Sequence, residues 1–369
     1  MSTSYRGIHI QTVNANTMQM LEHGRPALVK TMDFGPNWTE WKDKYGIRCL
    51  VARVNCDNDS DLTPSPQAAA ERLWPRVLEK IAPHAAVIDY VEAPWNEVHQ
   101  GKDDWRELQA LGVANRRFCE LAAEYGFKVA VGNFSVGQPE VNLFRIFAEE
   151  AMPGAAALSC HEYWLNGIRG ISWWQYRYIE FLKSIDPLLR RPVLITECGI
   201  DRGQEKPPQP RATAGWRSSG ISADEYTRQL DEYWRGLGPE VIGIMVFNCG
   251  SLPGKNQWHD FEIGDVSPIQ QWMAAGPHHD LSPDEPDEGE EMSDHNPLGR
   301  ALAENGAFEQ RLLTDPTLTD FIVISDEVRV PGTTGGDVVF LTAMNPGTLD
   351  KVLMVWSDGF DGAAVIPLT

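Results

Sequence analysis

A closed eight-stranded α/β barrel, followed by a small β-rich module, is the architecture the sequence predicts. Three observations carry it. Strand-like and helix-like runs alternate through the first 275 residues, the pattern of an α/β domain. Eight of those runs are short, rich in Val, Ile and Leu, and bounded by Pro, Gly or charged residues, as buried parallel strands are. Polar residues gather directly after the apolar runs, where barrels of this class keep their chemistry.

The expected strands span residues 7–11, 27–32, 48–54, 87–93, 128–133, 156–161, 192–196 and 241–247. Helical periodicity is clearest over 66–81, 105–125, 140–150, 173–185 and 223–237. Ser222 followed by Glu225 has the spacing of a capping box at the start of the last helix. Gly126 closes the second at a position that favours left-handed backbone. Residues 1–275 therefore read as one barrel domain.

Residues 276–297 differ in kind. The stretch Pro283-Asp284-Glu285-Pro286-Asp287-Glu288-Gly289-Glu290-Glu291 is acidic and lacks bulky apolar anchors, the composition of a self-repelling linker. Residues 298–369 follow as a small module, with a helical stretch near 298–313 and strands at 321–325, 338–343 and 352–356.

Over 369 residues the formal charge is -20, which disfavours nucleic acid, polyanionic glycans and anionic membranes as partners. No apolar run has the length of a bilayer-spanning helix. No secretory leader precedes the first strand, so the expected location is cytoplasmic, or outside by another export route or within a larger assembly. The six cysteines show no metal-type spacing and read as buried free thiols. There is no Gly-rich dinucleotide fingerprint and no phosphate-binding loop, so no cofactor is expected. The His clusters of a metal-dependent hydrolase are absent from the strand ends, so no metal is expected either.

Two glutamates end buried strands. Glu97 follows Val87-Ile88-Asp89-Tyr90-Val91-Glu92-Ala93-Pro94-Trp95-Asn96, and Glu197 follows Pro192-Val193-Leu194-Ile195-Thr196. They fall after the fourth and seventh strands, whose ends face one another across the mouth of an eight-stranded barrel. Two facing carboxyls supply what glycosidic cleavage needs: a proton for the departing oxygen and a nucleophile for the anomeric carbon. A neighbouring negative charge helps to keep the acid protonated.

Asn96-Glu97 and Thr196-Glu197 resemble the acid/base and nucleophile motifs of the clan A retaining glycoside hydrolases, and the resemblance covers about residues 5–275. The segments Gly132-Asn133-Phe134-Ser135-Val136-Gly137, His161-Glu162-Tyr163-Trp164 and Ile195-Thr196-Glu197-Cys198-Gly199-Ile200-Asp201 also resemble a little-characterised group of bacterial and phage-associated glycoside-hydrolase-like proteins. Clan members often carry Pro after the acid/base, where this chain has Val98. The resemblance implies a retaining O-glycoside hydrolase acting on a poly- or oligosaccharide by double displacement. It assigns Glu97 as acid/base, Glu197 as nucleophile and Asn96 to the sugar 2-hydroxyl. It further implies that an aromatic hydroxyl or His after the sixth strand bonds the nucleophile. Tyr163 is the choice for that role, with His161 lining the site or, equally, packing as a core histidine.

Asp33, Arg53, Asn133 and Asn248 end other strands and form a candidate polar ring for sugar hydroxyls; each could instead anchor a loop. Among 13 tryptophans, Trp95 and Trp164 adjoin the carboxylate motifs and are the candidate sugar platforms. Trp216, in the Pro- and Arg-rich segment 202–220, is a candidate to reach the cleft from a lid, if that segment is not a disordered insertion. The alternative function is a non-catalytic glycan-binding or structural module of a cell-surface or phage-associated assembly.

Overall fold

In the computed structural model, the described residues are 4–56, 61–97, 104–165, 167–168, 174–251 and 258–276, together with strand segments between 322 and 368. The chain divides into two compact units, Met1–Asp280 and Leu281–Thr369.

The first unit is a (β/α)8 barrel. Strands β1 (Tyr5–Ile10), β2 (Leu28–Thr31), β3 (Cys49–Ala52), β4 (Tyr90–Glu92), β5 (Val129–Phe134), β6 (Ala157–Trp164), β7 (Val193–Ile200) and β8 (Val241–Cys249) close in sequence order. Every neighbouring pair is parallel, β1 with β8 included. Helices α1 (Ala15–Gln19), α2 (Trp38–Tyr45), α3 (Pro66–Ile81), α4 (Trp105–Ala123), α5 (Val141–Ala151), α6 (Arg177–Ser184), α7 (Ala223–Arg235) and α8 (Ser267–Ala274) connect them. None of the described helices is long and apolar enough to cross a membrane.

Local chemistry sets the helix ends. Ser65 accepts from the Ala68 N–H ahead of Pro66 at the first position of α3, and Ser222 accepts from the Glu225 N–H at 3.1 Å in α7. The Glu225 carboxylate turns to Arg228 and Gln229 instead of closing the box. Gly126 has φ +79, the left-handed backbone that a glycine stop allows. The helices α1, α2 and α8 were not anticipated. The α2 signals were nonetheless present, with Asn37 capping the start and Gly46 at φ +70 ending it.

Strand alternation sorts the side chains into two populations. A large cluster, including Ile8, Val29, Leu50, Val91, Trp164 and Ile195, fills the layer between strands and helices. Inside the barrel, Leu28, Val51, Ala130, Ala157, Leu194 and Met245 form a small apolar plug. The inward positions two residues further along β2, β4 and β6 carry Lys30, Glu92 and Ser159, all buried. The interior therefore turns from apolar to charged toward the C-terminal ends of the strands.

The second unit contains a five-stranded antiparallel sheet: β9 (Ile322–Val323), β10 (Val328–Val330), β11 (Val338–Met344), β12 (Lys351–Ser357) and β13 (Ala364–Leu368), with β9 and β10 both pairing β11. The expected acidic linker and the helical stretch at 298–313 lie outside the described residues.

Candidate active site

Glu197 is the hub. It lies on β7 directly opposite His161 of β6, because the register shifts between Cys160 and His161 and skips Thr196. That irregularity lets consecutive residues Thr196 and Glu197 both serve the barrel interior, as an extra residue in one strand allows. Its Oε1 receives Lys30 Nζ at 3.1 Å and Arg53 Nη1 at 3.2 Å, and lies 3.4 Å from His9 Nδ1. Its Oε2 accepts the Tyr163 hydroxyl at 2.9 Å.

These neighbours decide its charge. Burial alone would raise the Glu197 pKa, but the groups packed on it, His161, Lys30 and Arg53 among them, outweigh it and hold the carboxyl well below the usual range. His9 is pushed the other way. Burial, with Lys30, Arg53 and His161 nearby, drives it well below the ordinary imidazole value against the pull of Glu197, so it stays neutral. Burial, followed by the negative charges around it, raises Tyr163 well above the ordinary phenol value, which keeps its hydroxyl a donor.

Glu97 has a different setting. It is half-buried, at φ +53 in the turn after β4, and its N–H donates to the Asn133 carbonyl at 2.9 Å. Its Oε1 lies 2.9 Å from His161 Nδ1. One oxygen each of Glu97 and Glu197 and a ring nitrogen of His161 lie within 4.8 Å of one another. That is close enough to hold a metal ion in principle. Both Glu197 oxygens already accept from Lys30, Arg53 or Tyr163, and two adjacent cations oppose a third.

The other anticipated residues separate into groups. Arg53 joins the Glu197 cluster. Asn96 lies beside Glu97 with Oδ1 buried and without a partner among the described residues. Asp33 is a loop anchor, its two oxygens accepting from the Val13 and Gly35 N–H groups. Asn133 donates to the Ala93 carbonyl at 2.7 Å and serves the Glu97 turn through its backbone. Asn248 accepts from Ser251 Oγ, leaving its buried Nδ2 without a partner among the described residues.

The expected platforms require correction. Trp95 is 1% exposed and packs edge-on against Phe118 of α4. Trp164, also 1% exposed, donates to Gln229 and packs on Tyr233 of α7. Both belong to the layer between strands and helices; for Trp164 the strand period carries 164 outward when 161 and 163 face inward. Trp216 is buried too, stacked on Tyr226. The aromatic wall of the site is instead Phe247 of β8, 6.2 Å from Tyr163 and 5.3 Å from His9, backed by the partly exposed Trp258.

Sequence reasoning passed over His9, Lys30 and Phe247 as site residues. The usable signal for Lys30 was a lysine inside an otherwise apolar strand, since a lysine is almost never fully buried unless paired.

The sequence matches no protein-family model and no curated protein. Among solved structures the chain is similar to a β-mannanase from Streptomyces thermolilacinus solved with mannohexaose, at 11% identity, covering 68% of this chain and 80% of that one, with a TM-score of 0.39. It is also similar to an exo-β-1,4-mannosidase from an Opitutaceae bacterium, at 13% identity over 68% of this chain and 53% of that one, TM-score 0.42. A third likeness is to a family 51 α-L-arabinofuranosidase from Bifidobacterium longum, at 10% identity over 95% of this chain and 81% of that one, TM-score 0.45.

Proposed function

We propose that the protein is a retaining O-glycoside hydrolase with Glu197 as nucleophile and Glu97 as general acid and base. The supporting observation is the spacing of the two carboxylates, which bring oxygens within 4.8 Å of one another. Retention uses carboxyls about 5 to 5.5 Å apart, whereas inversion needs about 6.5 to 9.5 Å to admit a water. The burial contrast agrees with the division of roles. Glu197 is held by three donors, Lys30, Arg53 and Tyr163, and ionised, as a nucleophile must be before any proton moves. Glu97 is half-exposed, as a group that exchanges protons with water in the second step must be.

In the first step Glu197 attacks the anomeric carbon as Glu97 protonates the leaving oxygen, and a glycosyl ester forms on Glu197. In the second step Glu97 takes a proton from water, the water oxygen attacks the same carbon, and Glu197 departs as carboxylate. Asn96 and the wall of Phe247 and Trp258 are proposed to contact the sugar.

The test is covalent trapping. An activated 2-deoxy-2-fluoro glycoside drawn from a panel of sugars should leave one glycosyl group on the peptide carrying Glu197, read by mass spectrometry. Binding of glycans without any adduct across the panel favours the non-catalytic module.

A further inference from the structure

The Lys30–Glu92 pair takes no part in the two-step reaction above, yet both residues are fully buried inside the barrel. Burying two ions costs several kcal/mol each, and well-packed apolar side chains of similar volume serve stability as well or better. The pair therefore does something an apolar pair cannot. Its geometry indicates what.

Lys30 Nζ lies 2.8 Å from Glu92 Oε2 and 3.1 Å from Glu197 Oε1. Glu92 Oε1 accepts from Ser159 Oγ at 2.9 Å, and Ser159 Oγ lies 2.7 Å from Thr196 Oγ1. Thr196 precedes Glu197 in the chain. The contacts thus close a ring that runs from the Glu197 carboxylate through Lys30, Glu92 and Ser159 to Thr196 and back along the backbone of β7. Burial pushes the Glu92 carboxyl up, but Lys30 and then Arg53 and His161 bring it below its ordinary value. The ammonium is thereby braced by a fixed anion.

We infer that Lys30 is a positioning residue for Glu197, held in place by Glu92, and that it fixes Oε1 and keeps the carboxylate ionised while Oε2 is presented to the cleft. The link to catalysis rests on the reading of Glu197 as nucleophile. The electrostatic part stands on the contacts alone. The other charged or titratable groups at Glu197 are His9 from β1, Arg53 after β3, Glu97 after β4, and His161 and Tyr163 from β6. Of these only Arg53 is a second fixed cation on Oε1.

The test needs no substrate. Side-chain carboxyl carbons of glutamate are followed by 13C NMR against pH, with Glu197 assigned by the signal lost in Glu197→Gln. Lys30→Met should raise the Glu197 midpoint by about one to two pH units, the effect of removing an opposite charge at this distance. Lys30→Met leaves Glu92 without its cation, so the fold is safeguarded by the double variant Lys30→Met/Glu92→Gln, which should show the same upward shift. Glu92→Gln alone should not raise the midpoint. If the double variant folds and its Glu197 midpoint equals that of the unaltered protein, the inference is overturned. With a hydrolysed substrate in hand, the acid limb of kcat/KM should move with the NMR midpoint. A limb that stays while the midpoint moves overturns the positioning role. If no glycoside is hydrolysed or trapped while the midpoint shifts, the functional reading fails and the electrostatic inference stands.

Discussion

Glu162 and Glu197 sit on adjacent strands, β6 and β7, and both are buried, yet their surroundings drive them in opposite directions. Glu162 faces outward into the helical layer. It accepts from the Tyr176 and Tyr178 N–H groups at the start of α6, at 2.6 and 3.0 Å, and from the Tyr233 hydroxyl at 2.6 Å. Burial dominates there, and the hydrogen bonds only partly offset it, so its pKa is pushed up to about 7. Glu197 faces inward and meets the fixed cations Lys30 and Arg53, with His161 beside them. They outweigh an equally complete burial, and its pKa falls well below the ordinary value. At Glu162 the hydrogen bonds anchor a helix without overcoming burial, whereas at Glu197 the fixed cations do overcome it. The barrel wall separates the two environments by one step of strand alternation.

The largest expected effect comes from erasing the inward charge. Glu197→Gln should lower kcat/KM by on the order of 10⁴-fold or more, because the amide cannot form the glycosyl ester. The outward counterpart, Glu162→Gln, should fold with the carboxylate pair intact and retain covalent trapping. If both variants lose activity equally while remaining folded, the contrast between the two faces breaks.

Glu97→Gln comes next. Loss of general acid catalysis should cost about 10² to 10⁴-fold on glycosides with poor leaving groups. Activated aryl glycosides should still glycosylate Glu197, and the ester should then accumulate because the base that activates water is gone. Azide, which needs no base, should restore turnover of those substrates and give a glycosyl azide of retained configuration. Equal losses on good and poor leaving groups would remove Glu97 from the acid role.

The contrast shows what the sequence could and could not disclose. All eight barrel strands were legible, because buried parallel strands announce themselves as Val- and Ile-rich runs. The meeting of Glu97, Tyr163 and Glu197 was legible for a related reason, since strand order in a closed barrel fixes which ends adjoin, while His161 was left open between the site and the core. Trp95 and Trp164 misled because adjacency in sequence is not adjacency in space: one residue along a strand is the opposite face. The register shift at Thr196 left no mark in the composition, so the interior position of Thr196 beside Glu197 could not be read. Lys30 was visible as a residue but not as a partner, because its two carboxylates arrive from strands 62 and 167 positions away.

A smaller effect should separate the glutamates by pH. The raised pKa of Glu162 means the folded protein binds a proton more tightly there than the unfolded chain, whose glutamate titrates near about 4.3. Its contribution to stability is therefore complete below about pH 4 and is lost as pH rises through about 7, with a span on the order of 3 kcal/mol. Glu197 has the opposite sign. Its lowered pKa contributes stability above the unfolded value, and that is lost only as pH falls through its own low midpoint. Denaturant titrations across pH 4 to 8 should therefore show a downward slope that flattens in Glu162→Gln. A slope unchanged by that substitution would mean Glu162 is ionised in the fold and that its donors outweigh its burial.

The finest comparison removes one hydroxyl from each side. Tyr163→Phe takes a donor from Glu197 Oε2, and Tyr233→Phe takes one from Glu162 Oε2. Each lost bond costs about 0.5 to 1.5 kcal/mol, but the consequences should appear in different measurements. On the inward side Lys30 and Arg53 still hold Oε1, so Tyr163→Phe should leave the melting temperature nearly unchanged and slow the glycosylation step by about tenfold, the rate equivalent of 1.4 kcal/mol. On the outward side no fixed cation is hydrogen-bonded to the Glu162 carboxylate among the described residues. Tyr233→Phe should lower stability at pH 5 and move the alkaline loss of stability to higher pH, since one of the bonds favouring the anion is gone. Its trapping rate should match that of the unaltered protein. A slower trapping rate in Tyr233→Phe would mean that the α6 anchor at Glu162 governs where β6 places His161 and Tyr163, and the two faces of the strand would then act as one unit.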